Sequence, residues 1–311
     1  MEDKLAINAD FDQASQSKKK KKSAPAPKPE QPAAEPTKPV SKPPVSQMPV
    51  HLLPSREIFL DDSINKTSVK GAILQLRALA NQNNDPITMH INSPGGSVYD
   101  GLALYDTMRE LMNEGIIIKT KAYGTAASMG SFLLSAGTPG HRSMLPSAKD
   151  MTHQPSRGFA GSTKSDEIEN ASKSIHQTRR RMEMHYADFM GLDYRDEEAL
   201  ELINEYMGPD VYLNAYMAKR LGLIDSIAMI DDDNKPAEGL TQEFLKRSIE
   251  IDAYLNEVEF NEIDTSRKSH DPLRFVKQLI LYRDTYLASK AKNAEAENTA
   301  NDNHAAPIEP S

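Results

Sequence analysis

The chain has 311 residues, a net charge of −8, and neither cysteine nor tryptophan. The absence of cysteine excludes disulfides, thiol catalysis and cysteine-based metal sites, and the acidic balance argues against general nucleic-acid binding by the folded part. No apolar run approaches the ~20 residues that span a bilayer, and the N-terminus lacks a basic-then-apolar signal pattern. We therefore expect a soluble, cytoplasmic protein without a membrane partner.

Composition divides the chain into four predicted segments. Residues 1–53 are rich in lysine and proline and poor in large apolar side chains, so they cannot bury enough surface to fold, and we expect disorder there. We interpret the basic run Lys18–Lys22 as a part of this solvated tail. The small, polar stretch 288–311 carries the same expectation. Between the tails we predict a folded domain at 54–232 and a mostly helical appendage at 233–287.

Predicted strands and helices alternate along the folded domain. In chain order they are a strand at Arg56–Leu60, a helix at Lys66–Gln82, a strand at Ile87–Asn92, a helix at Val98–Gly115, a strand at Ile116–Gly124, a helix at Thr125–Gly137, short strands within His141–His153, a helix at Ser165–Met190, and a helix with a final strand within Asn214–Ile230. This alternation predicts an α/β domain with a largely parallel sheet. Functional sites in such sheets collect at the carboxyl ends of the strands, and the turns "SPGGS" and "YGTAASMG" both follow predicted strands.

Two residues in these turns and strands are candidates for nucleophilic chemistry. Ser128 lies among small neighbours in "YGTAASMG", at a predicted helix start whose free N–H groups favour developing negative charge. By itself such a serine is more often an N-cap or a packing residue. His153 ends a short strand in "MTHQP", and histidine is the common base that activates a serine, although a lone histidine at a strand end is usually structural.

The glycine pair in "INSPGGSVYDG" is a third feature. Adjacent glycines permit positive φ and allow backbone N–H groups to face a cavity. A phosphate cradle would need GK[ST] or GxGxxG, and neither pattern is present. We therefore interpret this turn as an oxyanion hole beside a peptide-binding edge.

Four blocks in this order, "INSPGGSVYDGLALYDTM", "YGTAASMGSFLLSAG", "RSMLPSAKDMTHQPSRG" and "AKRLGLID", resemble the proteolytic subunit of the Clp protease, an intracellular serine peptidase family. The resemblance covers Arg56–Ile230. It implies a crotonase-like α/β spiral of mostly parallel β-strands and helices, to which the small helical appendage is added. It places the nucleophile at Ser128, the base at His153, and the oxyanion donors at the backbone N–H groups of Gly96 and Met129.

The resemblance also carries expectations about partners. It implies a ring-shaped homo-oligomer acting on a protein or peptide substrate, with the long helix after His153 helping to join two rings. It implies no cofactor and no metal. The family's N-terminal segment engages a ring ATPase, but the lysine- and proline-rich segment and the helical appendage depart from the family pattern. The sequence therefore leaves an ATPase partner open.

The acid of a catalytic triad is displaced in this chain. Counting back sixteen residues from Gly222, as the family pattern requires, leads to Tyr206, which has no carboxyl group. Glu205 and Asp210 are the neighbouring acids in "NEYMGPD". We predict that Asp210 orients His153, with Glu205 as the alternative.

These observations predict a serine endopeptidase that hydrolyses protein or peptide bonds through an acyl-enzyme on Ser128, with His153 as general base. The displaced acid and the added segments leave a second hypothesis open, a catalytically inactive scaffold or assembly protein. A hydratase or isomerase of acyl-CoA would share the fold class and an oxyanion hole. Such an enzyme would need a positioned carboxylate base and no nucleophilic serine.

Overall fold

The computed structural model describes residues 55–156, 164–266 and 271–302 of the chain. The predicted disorder of residues 1–53 therefore lies outside the described residues. All described residues belong to one compact unit.

A seven-stranded sheet forms the centre of this described part. Its strands are β1 Glu57–Leu60, β2 Ile87–Ser93, β3 Ile118–Ala127, β4 Arg142–Met144, β5 Lys149–Thr152, β6 Val211–Leu213 and β7 Ser226–Ile227. Strands β1, β2, β3, β4 and β7 lie side by side in that order, each parallel to its neighbour. Strand β5 pairs in parallel with the end of β3, and β6 pairs antiparallel with β5. The predicted α/β fold with a mostly parallel sheet is confirmed.

Eight helices accompany the sheet in the described ranges. They are α1 Lys66–Ala80, α2 Val98–Asn113, α3 Met129–Ser135, α4 Ser165–Phe189, α5 Glu197–Tyr206, α6 Ala215–Leu221, α7 Glu243–Asn261 and α8 Leu273–Asp302. Local signals explain several ends: Asn65 and Ser68 form a capping box at α1, and Gly222 ends α6 in the left-handed conformation. None of these helices combines the length and apolar character that crossing a membrane requires.

Strand β3 is longer than the sequence indicates. We expected a strand to Gly124 and a helix from Thr125, but β3 continues to Ala127 and α3 begins at Met129. The reason is tertiary, since residues 125–127 pair with residues 149–151 of β5. This pairing places Ser128 at the junction between the strand and the helix.

Helix α8 corrects the expectation of a disordered tail at 288–311. The helix continues to Asp302, while residues 303–311 lie outside the described part. The stretch "ASKAKNAEAENTAND" contains many alanine, lysine and glutamate residues, which have high helix propensity. It extends a helix whose first half is fixed by packing.

Helices α7 and α8 pack directly on the rest of the unit, against α5 and α6. Their inward apolar side chains are buried, namely Ile249, Ala253, Phe260, Val276, Leu279 and Ile280. Complete burial of a large aliphatic side chain contributes about 1.5–3 kcal/mol. The helices of the predicted appendage at 233–287 thus share a core with the α/β domain.

A buried ion pair joins β4 to the segment before β7. The Arg142 guanidinium donates to both carboxylate oxygens of Asp225, at 2.7 and 3.0 Å, and also to the carbonyl oxygens of Ser135 and Phe189. Asp225 is the final residue of the "AKRLGLID" block. Its role in the structure is therefore to satisfy a buried cation.

Candidate active site

Ser128 lies in an unusual backbone conformation, with φ 55° and ψ −120°. Positive φ costs a residue with a side chain about 1–3 kcal/mol, so the surroundings must hold it. The Ser128 N–H donates to the Met151 carbonyl oxygen at 2.7 Å, which ties the residue to β5. The strand–junction–helix path therefore presents the hydroxyl at the carboxyl end of β3.

Gly95 packs directly against this junction. A Cβ atom at Gly95 would lie 2.5 Å from Ser128 Cβ and 2.6 Å from the Ala127 carbonyl oxygen, and Gly95 has φ +90°. Both the close approach and the backbone conformation require glycine at this position. The "SPGGS" turn and the "YGTAASMG" turn are thus in contact, at the edge of the sheet where the sequence places both.

His153 follows β5 and faces Ser128. Its Nε2 lies 2.9 Å from Ser128 Oγ, and its Nδ1 lies 3.2 Å from Asp210 Oδ1. The pairing of β5 with β6 explains the second contact. Because Thr152 is opposite Val211 in this antiparallel pair, one further step along the register sets His153 opposite Asp210. The structure therefore brings together the three residues predicted as a triad.

The geometry favours Asp210 over Glu205 as the partner of His153. Glu205 is exposed on α5, and the described part of the chain contains no ion pair between it and His153. Tyr206, sixteen residues before Gly222, is completely buried. The Asp210 side chain is 72% exposed, so solvent weakens its electrostatic effect on the imidazole.

The two predicted oxyanion donors, Gly96 and Met129, follow directly after Gly95 and Ser128, which are in contact. The Gly95 carbonyl accepts from the Ile64 N–H, and the Ser97 N–H donates to the Ile64 carbonyl, both at 2.8 Å. This bridge turns the Gly96 N–H away from Ile64. Met129 is the first residue of α3, and its N–H therefore has no acceptor within the helix.

Three polar residues next to the site were not singled out from the sequence. Asp150 and Thr152 point inward from β5, and Ser131 lies in the first turn of α3; all three are buried. Burial raises the pKa of Asp150 to about 7, against a smaller lowering effect of the Ser131 hydroxyl. The available signal was an acid and a threonine at alternate positions of "KDMT", beside the catalytic candidates. No group of three or more potential metal ligands occurs in the ranges that the structure describes.

A family model described as Clp protease matches residues 44–231. The chain belongs to the Clp protease family. The resemblance drawn from the four sequence blocks is thus confirmed. Helices α7 and α8 lie outside the region that the Clp protease family model matches.

Proteins from Streptomyces that are named Clp protease proteolytic subunits are similar to more than half of this chain. ATP-dependent Clp protease proteolytic subunit 1 of Streptomyces coelicolor is 41% identical over 176 residues, which are 57% of this chain and 75% of that protein. Subunit 3 of Streptomyces avermitilis is 39% identical over 176 residues, with 57% and 75% covered. Subunit 3 of S. coelicolor is 38% identical over 189 residues, 60% of this chain and 81% of that protein.

Proposed function

We propose that the chain is a serine endopeptidase that hydrolyses protein or peptide bonds through an acyl-enzyme on Ser128. The observation that carries the proposal is the continuous contact from Ser128 Oγ through His153 to the Asp210 carboxylate. Membership of the Clp protease family supports it independently. A catalytically inactive scaffold is not favoured, because nucleophile and base are already within hydrogen-bonding distance.

The reaction begins when His153 Nε2 takes the proton of Ser128 Oγ. The oxygen attacks the carbonyl carbon of the scissile peptide, and the N–H groups of Gly96 and Met129 donate to the resulting oxyanion. The protonated imidazole then gives its proton to the leaving amine as the C–N bond breaks. Water, deprotonated by His153, hydrolyses the acyl-enzyme. Asp210 accepts from Nδ1–H and so keeps Nε2 free to accept the proton.

We extend the proposal to assembly. The relatives are named proteolytic subunits of ATP-dependent proteases. These names support a ring-shaped homo-oligomer that acts on protein substrates, and they support an ATPase partner that delivers them. Light scattering on the purified chain tests the ring, and stimulation of peptide or protein cleavage by an added ATPase tests the partner.

A fluorophosphonate probe, which reacts only with an activated serine, tests the chemistry. The wild type is expected to form one adduct, which peptide mass spectrometry maps to Ser128. The Ser128→Ala variant should lose the adduct and at least about 10³-fold of its peptidase rate. Ser248→Ala, at an exposed position on α7, is the matched control and should label like the wild type. A native wild type that never reacts, or a Ser128→Ala variant that labels equally well, contradicts the proposal.

A further inference from the structure

A buried polar cluster lies directly behind the candidate active site. It consists of one carboxyl group and four hydroxyl groups, from Asp150, Ser131, Thr152, Tyr186 and Tyr206, and every member is at most 1% exposed. These residues come from β5, α3, α4 and α5, so the cluster connects the elements that carry or precede the proposed triad. Buried polar groups of this kind are strongly interdependent, because each must find its partner inside the protein.

One hydrogen bond in this cluster spans the nucleophile and the base. Ser131 Oγ and Thr152 Oγ1 are 2.9 Å apart, and the Tyr186 hydroxyl donates to Ser131 Oγ at 3.4 Å. Thr152 is the residue before His153, and Ser131 lies in the turn of α3 that follows Ser128. The bond therefore braces the helix that presents the nucleophile against the strand that presents the base.

Asp150 is the member of the cluster whose charge has no compensating partner. Neither of its carboxyl oxygens has a partner at ordinary hydrogen-bonding distance within the described ranges, although the Ser131 hydroxyl is near enough to lower the pKa of Asp150; the Tyr206 hydroxyl also lacks a partner at that distance. The same ranges show no ion pair to Asp150. A carboxylate in such a position must be neutralised or must recruit donors, because burial without compensation is costly.

The groups that face Asp150 are hydroxyls and apolar side chains. The titratable ones are Tyr186 on α4 and Tyr206 on α5, whose pKa values are raised first by burial and then by the nearby Asp150 carboxyl. Strands β3 and β6 place Ala126 and Leu213 opposite Asp150. Helix α3 contributes no charged residue.

Helices α6 and α7 also contact β5. Glu259 of α7 pairs with Lys149 of β5, and α6 carries two cations. Lys219 is paired with Asp232, and Arg220 with Asp284. Neither cation forms an ion pair with Asp150. Burial places the ionisation of Asp150 near pH 7. The groups that can stabilise its carboxylate are therefore hydroxyl groups.

The two protonation states place different demands on these hydroxyls. A neutral carboxyl both donates and accepts, whereas a carboxylate only accepts. Each hydroxyl has a single proton, so when the hydroxyls of Ser131 and Thr152 both donate to the two oxygens of the carboxylate, neither donates to the other. Ionisation thus competes with the bond that braces α3 against β5.

We propose that Asp150 is a positioning residue whose neutral form keeps β5 and α3 braced, so that His153 remains in hydrogen-bonding distance of Ser128, and whose ionisation loosens this brace and slows peptide hydrolysis. This inference rests on the proposed function. Asp150 touches no reacting atom and acts through Thr152 and Ser131.

The test compares pH profiles of fluorophosphonate labelling and of kcat/KM for the wild type and Asp150→Asn. Asparagine keeps the shape of the neutral acid and does not ionise. The ratio of the variant's rate to the wild-type rate should rise about tenfold between about pH 6 and about pH 8, as the neutral fraction of Asp150 falls. Asp233→Asn, at an exposed aspartate, should follow the wild type throughout. Parallel profiles for the wild type and Asp150→Asn would overturn the proposal.

Tyr206→Phe provides a second arm that does not depend on the folding of Asp150→Asn. Removal of a hydroxyl that can donate to the carboxylate makes ionisation harder, so the alkaline fall in rate should move to higher pH. A purely structural role predicts a lower rate with an unchanged midpoint. An unchanged midpoint therefore counts against the proposal.

A third measurement separates this inference from the proposed function. The wild type, labelled with ¹³C at methionine methyl groups, reports on Met129, which is assigned with Met129→Leu. The Met129 signal should shift as the pH passes through about 7 in the wild type but not in Asp150→Asn. If no serine reacts with the probe yet this shift occurs, the peptidase proposal fails and the coupling stands. If the signal does not move, the coupling itself is wrong.

Discussion

Two backbone positions define the site at the scale of single residues. Ser128 and Gly95 both have positive φ, and they meet at the start of α3. The serine tolerates its conformation because β5 accepts its N–H, and the glycine has no side chain to displace it. The reactivity expected of the hydroxyl therefore depends on a neighbour that carries no functional group.

Gly95→Ala should abolish most activity while leaving the fold intact. The added Cβ would lie 2.5 Å from Ser128 Cβ, so the serine must move. A displacement of about 1 Å at a reacting centre costs about 10²-fold in kcat. Gly191→Ala is the matched control, because Gly191 also has positive φ but would place its Cβ in open space. Steady-state kinetics and thermal unfolding of both variants check the prediction, and equal kcat values for the two would contradict it.

Asp210→Asn should lower kcat by about 10²-fold, less than the ~10⁴-fold loss expected for a buried triad acid. The Asp210 carboxylate is mostly exposed, so solvent already screens its interaction with the imidazole. Glu205→Gln, five residues before Asp210, should leave kcat unchanged. Peptidase assays on the pair decide between the two acids, and a larger loss for Glu205→Gln would reverse the assignment.

At the scale of elements, β4 and the segment before β7 are held together by Arg142 and Asp225. Burial acts to raise the pKa of Asp225, but the hydrogen bonds and positive charge of Arg142 outweigh it, and the pKa is lowered below its ordinary value of 3.8. A lowered pKa means that the pair stabilises the fold above about pH 4. This contribution is lost as the pH falls through the folded-state pKa.

Asp225→Asn should therefore destabilise the protein by about 3–5 kcal/mol at neutral pH, because it leaves the Arg142 cation buried without its counter-charge. The difference in unfolding free energy between the variant and the wild type should shrink at acidic pH, because Asp225 of the wild type then also loses its charge. Asp284→Asn breaks a more exposed pair with Arg220 and should cost less than about 1 kcal/mol. Urea unfolding at neutral and acidic pH measures both, and equal costs would refute the distinction.

The elements also show which features a sequence can predict. Helix α2 and strand β2 have long, regular apolar patterns, and their predicted bounds agree closely with the structure. Strand β6 has three residues, too few for a pattern, and β3 extends through "TAA" only because β5 is there to pair with it.

The residues of the site also differ in how far the sequence predicts them. Ser128 and His153 could be assigned because they stand in motifs. Asp210 could be proposed only as one of two acids, since the register of β5 and β6 is a tertiary property. Asp150 was missed because the burial of a single aspartate depends on helices far away in the chain.

At the scale of the whole molecule, α7 and α8 are bound by polar contacts as well as by apolar ones. The Asn214 amide donates to the Asn256 carbonyl and the Glu259 carboxylate, and Asn256 donates to the Pro146 carbonyl. Arg283 donates to the Met190 carbonyl at 2.6 Å. The asparagine contacts reach the loop before β5 and the residue after β6, at the ends of these strands opposite to His153 and Asp210.

Truncation after Asp232 should consequently lower the thermal unfolding midpoint strongly and cause self-association. It removes the buried residues of α7 and α8 and exposes the surfaces of α5 and α6 on which they pack. Truncation after Leu287 is the control, because residues 288–296 are exposed and their removal should change the midpoint little. Thermal unfolding and size-exclusion chromatography measure the two proteins, and an equally stable, monodisperse short form would contradict a shared core.

The antiparallel pairing of β5 with β6 has a consequence for how related chains are sorted. The strand register fixes which carboxylate meets the histidine, and the spacing of that acid from a downstream glycine does not. A motif search that demands an acid at the position of Tyr206 would discard this chain as a pseudoenzyme. A filter that requires a carboxylate opposite the histidine across the two strands would retain it.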